Sequence, residues 1–176
     1  MKTLLLMRHA KSNQVDHKLK EHLRPLTKKG EQRATEMGAW ILERELLPQL
    51  ILTSTAVRAC RTADLAAQAS GYRGEIQLID QLYMAEADEI IRLLRTLSDG
   101  LERVMVVGHN PGLESLIPLL TKQIVSLPTA GVAYLRLPIE HWRELKVKTH
   151  AELVEVWRPK EVDLTFIPDL AKVSSD

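Results

Sequence analysis

Two histidines and two arginines occupy positions from which a phosphate group could be held and attacked. Leu4-Leu5-Leu6-Met7 is a short apolar run that ends abruptly in Arg8-His9. Val104-Met105-Val106-Val107 is a second, ending in Gly108-His109-Asn110-Pro111-Gly112. Each run reads as a buried strand. In an open α/β sheet, ligands gather in the crevice outside the carboxyl ends of the strands. The second run also leads into a helix start, whose free N–H groups and partial positive charge favour an anion. A solvated strand end would account for either histidine alone. Two such histidines, one preceded by an arginine, favour a site.

A third stretch adds to these two. Thr53-Ser54-Thr55-Ala56-Val57-Arg58-Ala59-Cys60-Arg61-Thr62 follows another strand and places Arg58 in the first turn of a helix. A cation there opposes the helix dipole, and a bound anion would offset the cost. Arg61 reads as an ordinary exposed residue. Arginine forks match phosphate oxygens two at a time. Arg8, His9, Arg58 and His109 therefore form a candidate pocket for a phosphate- or sulfate-like anion.

The elements that must position these residues follow in alternation. Strands are expected over residues 2–7, 50–53, 76–79, 104–107, 132–137 and 153–157. Helices are expected from Thr27 to about Leu46, from Ala56 to Ala69, from Ala87 to Leu97 and from Pro111 to Leu120. Thr27 suits a helix cap, with Ala34, Met37, Ile41 and Leu42 at helical spacing behind it. Gly30 costs something in that first turn, and Pro48 ends the helix. The polar stretch from Asn13 to Pro25 reads as a loop bordering the pocket, with Asp16, His17 and His22 solvated. Such alternation predicts an α/β three-layer sandwich with a mostly parallel central sheet flanked by helices. No shift in composition marks a boundary, so residues 1–176 read as one domain, with a patternless tail after Pro159 on the surface.

The chain has 176 residues, 45% apolar and 27% charged, a globular composition long enough for a sizeable core. Its 24 basic and 23 acidic residues leave a formal charge of +1. That balance argues against broad binding to nucleic acid or anionic membrane, though not against a local cationic pocket. Cys60 is the only cysteine, so neither an intrachain disulfide nor a thiolate zinc cluster can form. It is not the nucleophile of a Cys-x5-Arg phosphatase, because Ala66 stands six positions on. No leader pattern and no bilayer-spanning apolar run is present, so a cytoplasmic location is expected. Trp40, Trp142 and Trp157 read as packing residues.

Four blocks occur in order: Leu6-Met7-Arg8-His9-Ala10-Lys11-Ser12, Arg24-Pro25-Leu26-Thr27-Lys28-Lys29-Gly30, Ser54-Thr55-Ala56-Val57-Arg58-Ala59-Cys60-Arg61-Thr62-Ala63, and Val107-Gly108-His109-Asn110-Pro111-Gly112-Leu113-Glu114. Together they resemble the histidine phosphatase superfamily, the phosphoglycerate-mutase-like fold. Within it they resemble the small SixA-type phosphohistidine phosphatases, a likeness extended by Pro128-Thr129-Ala130-Gly131-Val132-Ala133.

The resemblance implies that His9 is the nucleophile and forms a phosphohistidine intermediate that water hydrolyses. Arg8, Arg58 and His109 would hold the phosphoryl oxygens, with charge where a metaphosphate-like transition state needs it. Attack requires a neutral imidazole, which neighbouring cations favour. No metal or other cofactor is implied. Glu86 is the candidate general acid, although it equally suits a plain helix start. Arg24 is a candidate substrate contact. SixA-like members point to phosphohistidine on a signalling or phosphotransfer protein. A small phosphoester, mutase chemistry on a sugar-acid phosphate, and a non-catalytic phospho-binding module remain alternatives.

Overall fold

The computed structural model describes residues 1–14 and 16–159, so the tail expected on the surface lies outside the described residues. In chain order the elements are β1 (Lys2–Arg8), α1 (Lys28–Glu43), β2 (Leu50–Ser54), α2 (Val57–Ser70), β3 (Ile76–Ile79), α3 (Ala87–Leu94), β4 (Arg103–Gly108), α4 (Gly112–Thr121), β5 (Val132–Leu137) and β6 (Glu152–Trp157). Short 3-10 turns at Glu21–Leu23, Asp80–Leu82 and Trp142–Glu144 punctuate the connections. All six strands join one sheet in the order β3-β2-β4-β1-β5-β6. The first four in that order are parallel neighbours, β5 pairs antiparallel with β1, and β6 pairs antiparallel with β5, so that β5 alone is reversed.

The apolar runs are explained by burial on both sheet faces, the usual condition of parallel strands. Successive side chains point to opposite faces. Leu4 and Leu6 of β1, with Leu52, Val104 and Val106, pack beneath α3 and α4. Leu5 and Met7, with Ile51, Met105 and Val107, pack beneath α1 and α2. A helix pair on each face completes the three layers.

Register decides where the strand ends meet. Met7 pairs with Val107, and Val107 with Thr53. His9 and His109 each stand two residues past that level, so both emerge at the carboxyl edge on the same side. The chain after β1 is then held from three directions. The His9 N–H donates to the Gly108 carbonyl, the Ala130 N–H to the carbonyls of Arg8 and His9, and the Ala10 N–H to Thr62 Oγ1.

Two helix starts are brought unusually close to this edge. Thr27 caps α1, its hydroxyl accepting the Gly30 N–H, and the Thr27 N–H donates to the Lys11 carbonyl at 2.9 Å. A Cβ at Gly30 would stand 2.2 Å from that carbonyl oxygen. The glycine that looks costly in the sequence is what lets α1 seat against the strand-end loop. Gly112, at the start of α4, does the same against the Ala85 carbonyl, where a Cβ would lie 2.0 Å away. Helix propensity alone would make Gly30→Ala stabilising by about 1 kcal/mol. Forced overpacking typically costs about 1–3 kcal/mol, and here the obstacle is backbone. Gly30→Ala is therefore expected to lower the unfolding midpoint in urea, and an unchanged or raised midpoint would show that the loop yields freely.

Candidate active site

The centre of the site is the Arg58 guanidinium, at the second position of α2 and only 2% exposed. It makes four polar contacts. Nε donates to His9 Nε2 at 3.3 Å, and Nη2 approaches His109 Nδ1 at 3.4 Å. Nη1 donates to the Glu21 carbonyl at 2.9 Å, and Nη2 to Glu21 Oε1 at 2.7 Å. A guanidinium carries only donors, so each imidazole nitrogen facing it must offer a lone pair.

Those contacts assign the tautomers. His9 Nδ1–H donates to the Ala10 carbonyl at 2.8 Å, which leaves Nε2 unprotonated. His109 is the opposite case: Nδ1 accepts from Arg58, and Nε2–H donates to Ser54 Oγ at 2.8 Å. The rings lie 5.1 Å apart. Burial lowers the His9 pKa most, the Ala10 bond opposes it, and the Arg58 and Arg8 charges lower it further, to about 4. Burial, then the His9 and Arg58 charges, bring His109 to about 3. Both rings are neutral at pH 7, and the His9 Nε2 lone pair, which accepts from Arg58 here, meets an electrophile once that contact gives way.

Arg8 is half-buried beside His9, with Nη1 donating to the Leu127 carbonyl at 3.2 Å and Nε buried without a partner among the described residues. The structure thus brings together Arg8, His9, Arg58 and His109, the four residues singled out from sequence. Glu86 makes no hydrogen bond or ion pair to these four. Glu86 is an exposed N-cap of α3 whose backbone N–H donates to Glu89 Oε2.

The carboxylate beside the histidines is Glu21, in the 3-10 turn of the loop after β1. Its oxygens accept from Arg58, from Arg24 at 2.6 Å and from the Tyr83 hydroxyl. Partial burial pushes its pKa up, but the Tyr83 and Arg24 hydrogen bonds and the Arg58 charge outweigh it and hold it down, at about 2. The anion that offsets Arg58 at the helix start is therefore an internal one. Arg24, expected to meet substrate, is engaged by Glu21.

Sequence reasoning missed three further residues. Ser54 orients His109 while also accepting the Ala56 N–H. Tyr83 packs edge-on against His109 at 5.5 Å and against His22 at 4.8 Å. His22, expected to be solvated, is half-buried with Nε2 3.0 Å from Thr55 Oγ1. Nothing local distinguishes Glu21 or Tyr83, because their roles depend on chain folding back from 37 and 25 residues away, counted to Arg58. Among the described residues, no group of three or more His, Cys, Asp or Glu is arranged to hold a metal ion, and no helix is long and apolar enough to cross a membrane.

Comparison with known proteins bears on this geometry. The family model "Histidine phosphatase superfamily (branch 1)" matches residues 4–88, which include Arg8, His9, Glu21 and Arg58. The uncharacterized protein ML1117 of Mycobacterium leprae is 30% identical over 168 residues, covering 88% of this chain and all of that protein. The chain belongs to the histidine phosphatase superfamily. Among solved structures, the proposed phosphohistidine phosphatase SixA from Nakamurella multipartitia superposes with a TM-score of 0.79 at 26% identity, covering 90% of this chain and 96% of that one. The proposed SixA of Agrobacterium tumefaciens gives 0.77 at 25% identity, covering 90% and 98%. This histidine phosphatase is thus of SixA type, a phosphatase whose substrate is a phosphorylated compound.

Two outcomes follow from the electrostatics. The folded protein resists protonating His9 down to about pH 4, whereas an unfolded histidine takes its proton near 6.5. The associated stability is present above pH 6.5 and is lost as pH falls from there towards 4. In an NMR titration the His9 ring signals should move near pH 4, and a midpoint near 6.5 would contradict the buried, Arg58-bonded tautomer. An anion arriving at Arg58 must also displace the Glu21 carboxylate. Glu21→Gln should bind inorganic phosphate at pH 7 several-fold more tightly by calorimetry, since a neutral amide competes less for the guanidinium. Equal affinities would show that Glu21 does not compete.

Proposed function

We propose that this histidine phosphatase transfers a phosphoryl group to His9 Nε2 and then hydrolyses it, acting on phosphohistidine of a phosphotransfer protein in cytoplasmic signalling. The observation that carries the reading is the His9 tautomer. Nδ1–H is tied to the Ala10 carbonyl and Nε2 presents its lone pair beside Arg58. The lone pair attacks phosphorus, and the bond to the leaving group breaks with its electron pair going to that group. Arg8 and Arg58 face equatorial oxygens, on which charge accumulates, and His109 takes the third when the incoming anion draws a proton onto its Nδ1. Water then attacks the phosphohistidine, the P–N bond breaks, and inorganic phosphate leaves. The cationic side chains supply the charge stabilisation, so the reading requires neither a metal nor another cofactor.

The substrate class is argued from proton supply. Glu21 is ionised to about pH 2 and has no proton to donate at neutrality. Glu86 is turned to the start of α3. A leaving group that brings its own proton suits this arrangement, and the protonated imidazole of phosphohistidine is one. An alkyl phosphate would need the missing acid. The short turn from Asp80 to Leu82 leads almost directly into α3, so no long insertion covers the site there, as retention of a mutase intermediate would call for. Arg24 would come free for substrate when Glu21 lets go of Arg58. The cavity beside His9, described below, keeps a small phosphoester as the second reading.

The test is phosphate release from a phosphorylated histidine-containing phosphotransfer domain in excess chelator. Wild type should turn over and His9→Ala should not. Alkaline quenching during turnover should trap phosphate on Nε2 of His9. Undiminished release by His9→Ala, or a phosphate found on Nδ1, would remove the proposed nucleophile.

A further inference from the structure

Next to Arg8 and His9 lies a cavity of about 690 Å³, not lined by Arg58, between the loop after β1, the start of α1 and the turn before β5. That volume is within the range of small-molecule sites. Its described lining carries five basic side chains, Arg8, Lys11, Lys29, Arg33 and Arg158, and no carboxylate. In a chain with 24 basic and 23 acidic residues overall, this is local segregation of charge, not general basicity.

Three of the five cations have protein partners that limit them, Arg8 through the Leu127 carbonyl. Arg33 is bridged at 2.7 Å to the buried Glu36, and Arg158 Nη2 donates to the Ser126 carbonyl. Lys11 and Lys29 form no ion pair among the described residues. They are held near one another by backbone: the Thr27 N–H bonds the Lys11 carbonyl, and Gly30 seats α1 directly on it. Lys29 also falls in the first turn of α1, where the helix already carries partial positive charge. Lys11 and Lys29, convergent on one concave wall and with no ion pair among the described residues, raise the local affinity for anions.

We propose that this cavity binds a second anionic group, phosphate or carboxylate, on the same substrate whose phosphoryl group His9 attacks. The proposal deepens the phosphatase reading and rests on it. The reacting phosphoryl group sits among Arg8, Arg58 and His109, and the departing part of the substrate extends over Lys11 towards Lys29. The second anion comes either from acidic side chains flanking a phosphohistidine on a protein or from a second phosphate on a small molecule. The chemistry of recognition is the same, and remote binding energy of this kind is what separates a preferred substrate from a merely reactive one.

The test has two arms. In the first, phosphohistidine peptides with Asp/Glu flanks or isosteric Asn/Gln flanks are compared by kcat/KM. Wild type should favour the acidic peptide by about tenfold, mostly through KM, and Lys11→Gln/Lys29→Gln should bring the ratio close to one. In the second, His9→Ala is titrated by calorimetry with propane-1,3-diyl bisphosphate and with propyl phosphate. The bisphosphate should bind about tenfold more tightly, an advantage lost with the two lysines and weakened by salt. An acidic preference in the first arm assigns the anion to a protein flank, and a preference confined to the second assigns it to a small bisphosphate. Failure of wild type to turn over either peptide would strike the phosphohistidine reading alone. Equal turnover of both peptides together with equal affinity for both small probes would overturn the subsite.

Discussion

Arg58 is charged, almost wholly buried and placed at a helix start that repels it, and most of the site follows from meeting its needs. A buried guanidinium must find acceptors or cost several kcal/mol. The acceptors it finds are one nitrogen of each histidine, and the carbonyl and carboxylate of Glu21. The first two contacts oblige both imidazoles to be neutral and choose their tautomers. The last two draw the loop after β1 over the strand ends and keep Glu21 ionised. That cation selects which nitrogen of each histidine is bare, and it adds to burial in keeping both rings neutral and to Tyr83 and Arg24 in keeping Glu21 ionised.

The same interaction gives a route by which an arriving anion could replace the internal one. With Glu21 in place, Arg58 is satisfied. With a phosphoryl group in place, the same donors would face equatorial oxygens instead. Exchange of one anion for another needs no new charge in the protein interior, only movement of a partly exposed side chain on a short 3-10 turn. Positioning is left to rigid parts: β1 and β4 in register, Thr62 bridging α2 to the Ala10 N–H, Ser54 behind His109, and α1 seated on Lys11 through Gly30.

The fold was legible because its signals are local. Unbroken apolar runs such as Leu4–Met7 and Val104–Val107 can only be strands buried on both faces, and Thr27 marks its helix start by a hydroxyl that reaches two or three residues. Boundaries moved by a residue or a few, as at α3, which ends at Leu94 and not Leu97. The candidate site was legible where its residues stand at strand ends. The family resemblance points to a carboxylate after the third strand and so to Glu86, whereas Glu21 lies mid-loop with nothing in its neighbours to mark it. His22 was read as solvated for the same reason, yet Tyr83 and Thr55 enclose it.

The sequence by itself determined the alternation of strand and helix, the family likeness, and the presence of Arg8, His9, Arg58 and His109 at the edges of elements, since each depends on neighbours within a few residues. Only the tertiary structure decided which nitrogen of each histidine bears the proton, which carboxylate sits in the site, and that Lys11, Lys29, Arg33 and Arg158 converge on one cavity. Those outcomes depend on distances between residues far apart in the chain, and on burial that shifts pKa values by removing water. Neither quantity exists until the strands are in register and the loops have folded back over their ends.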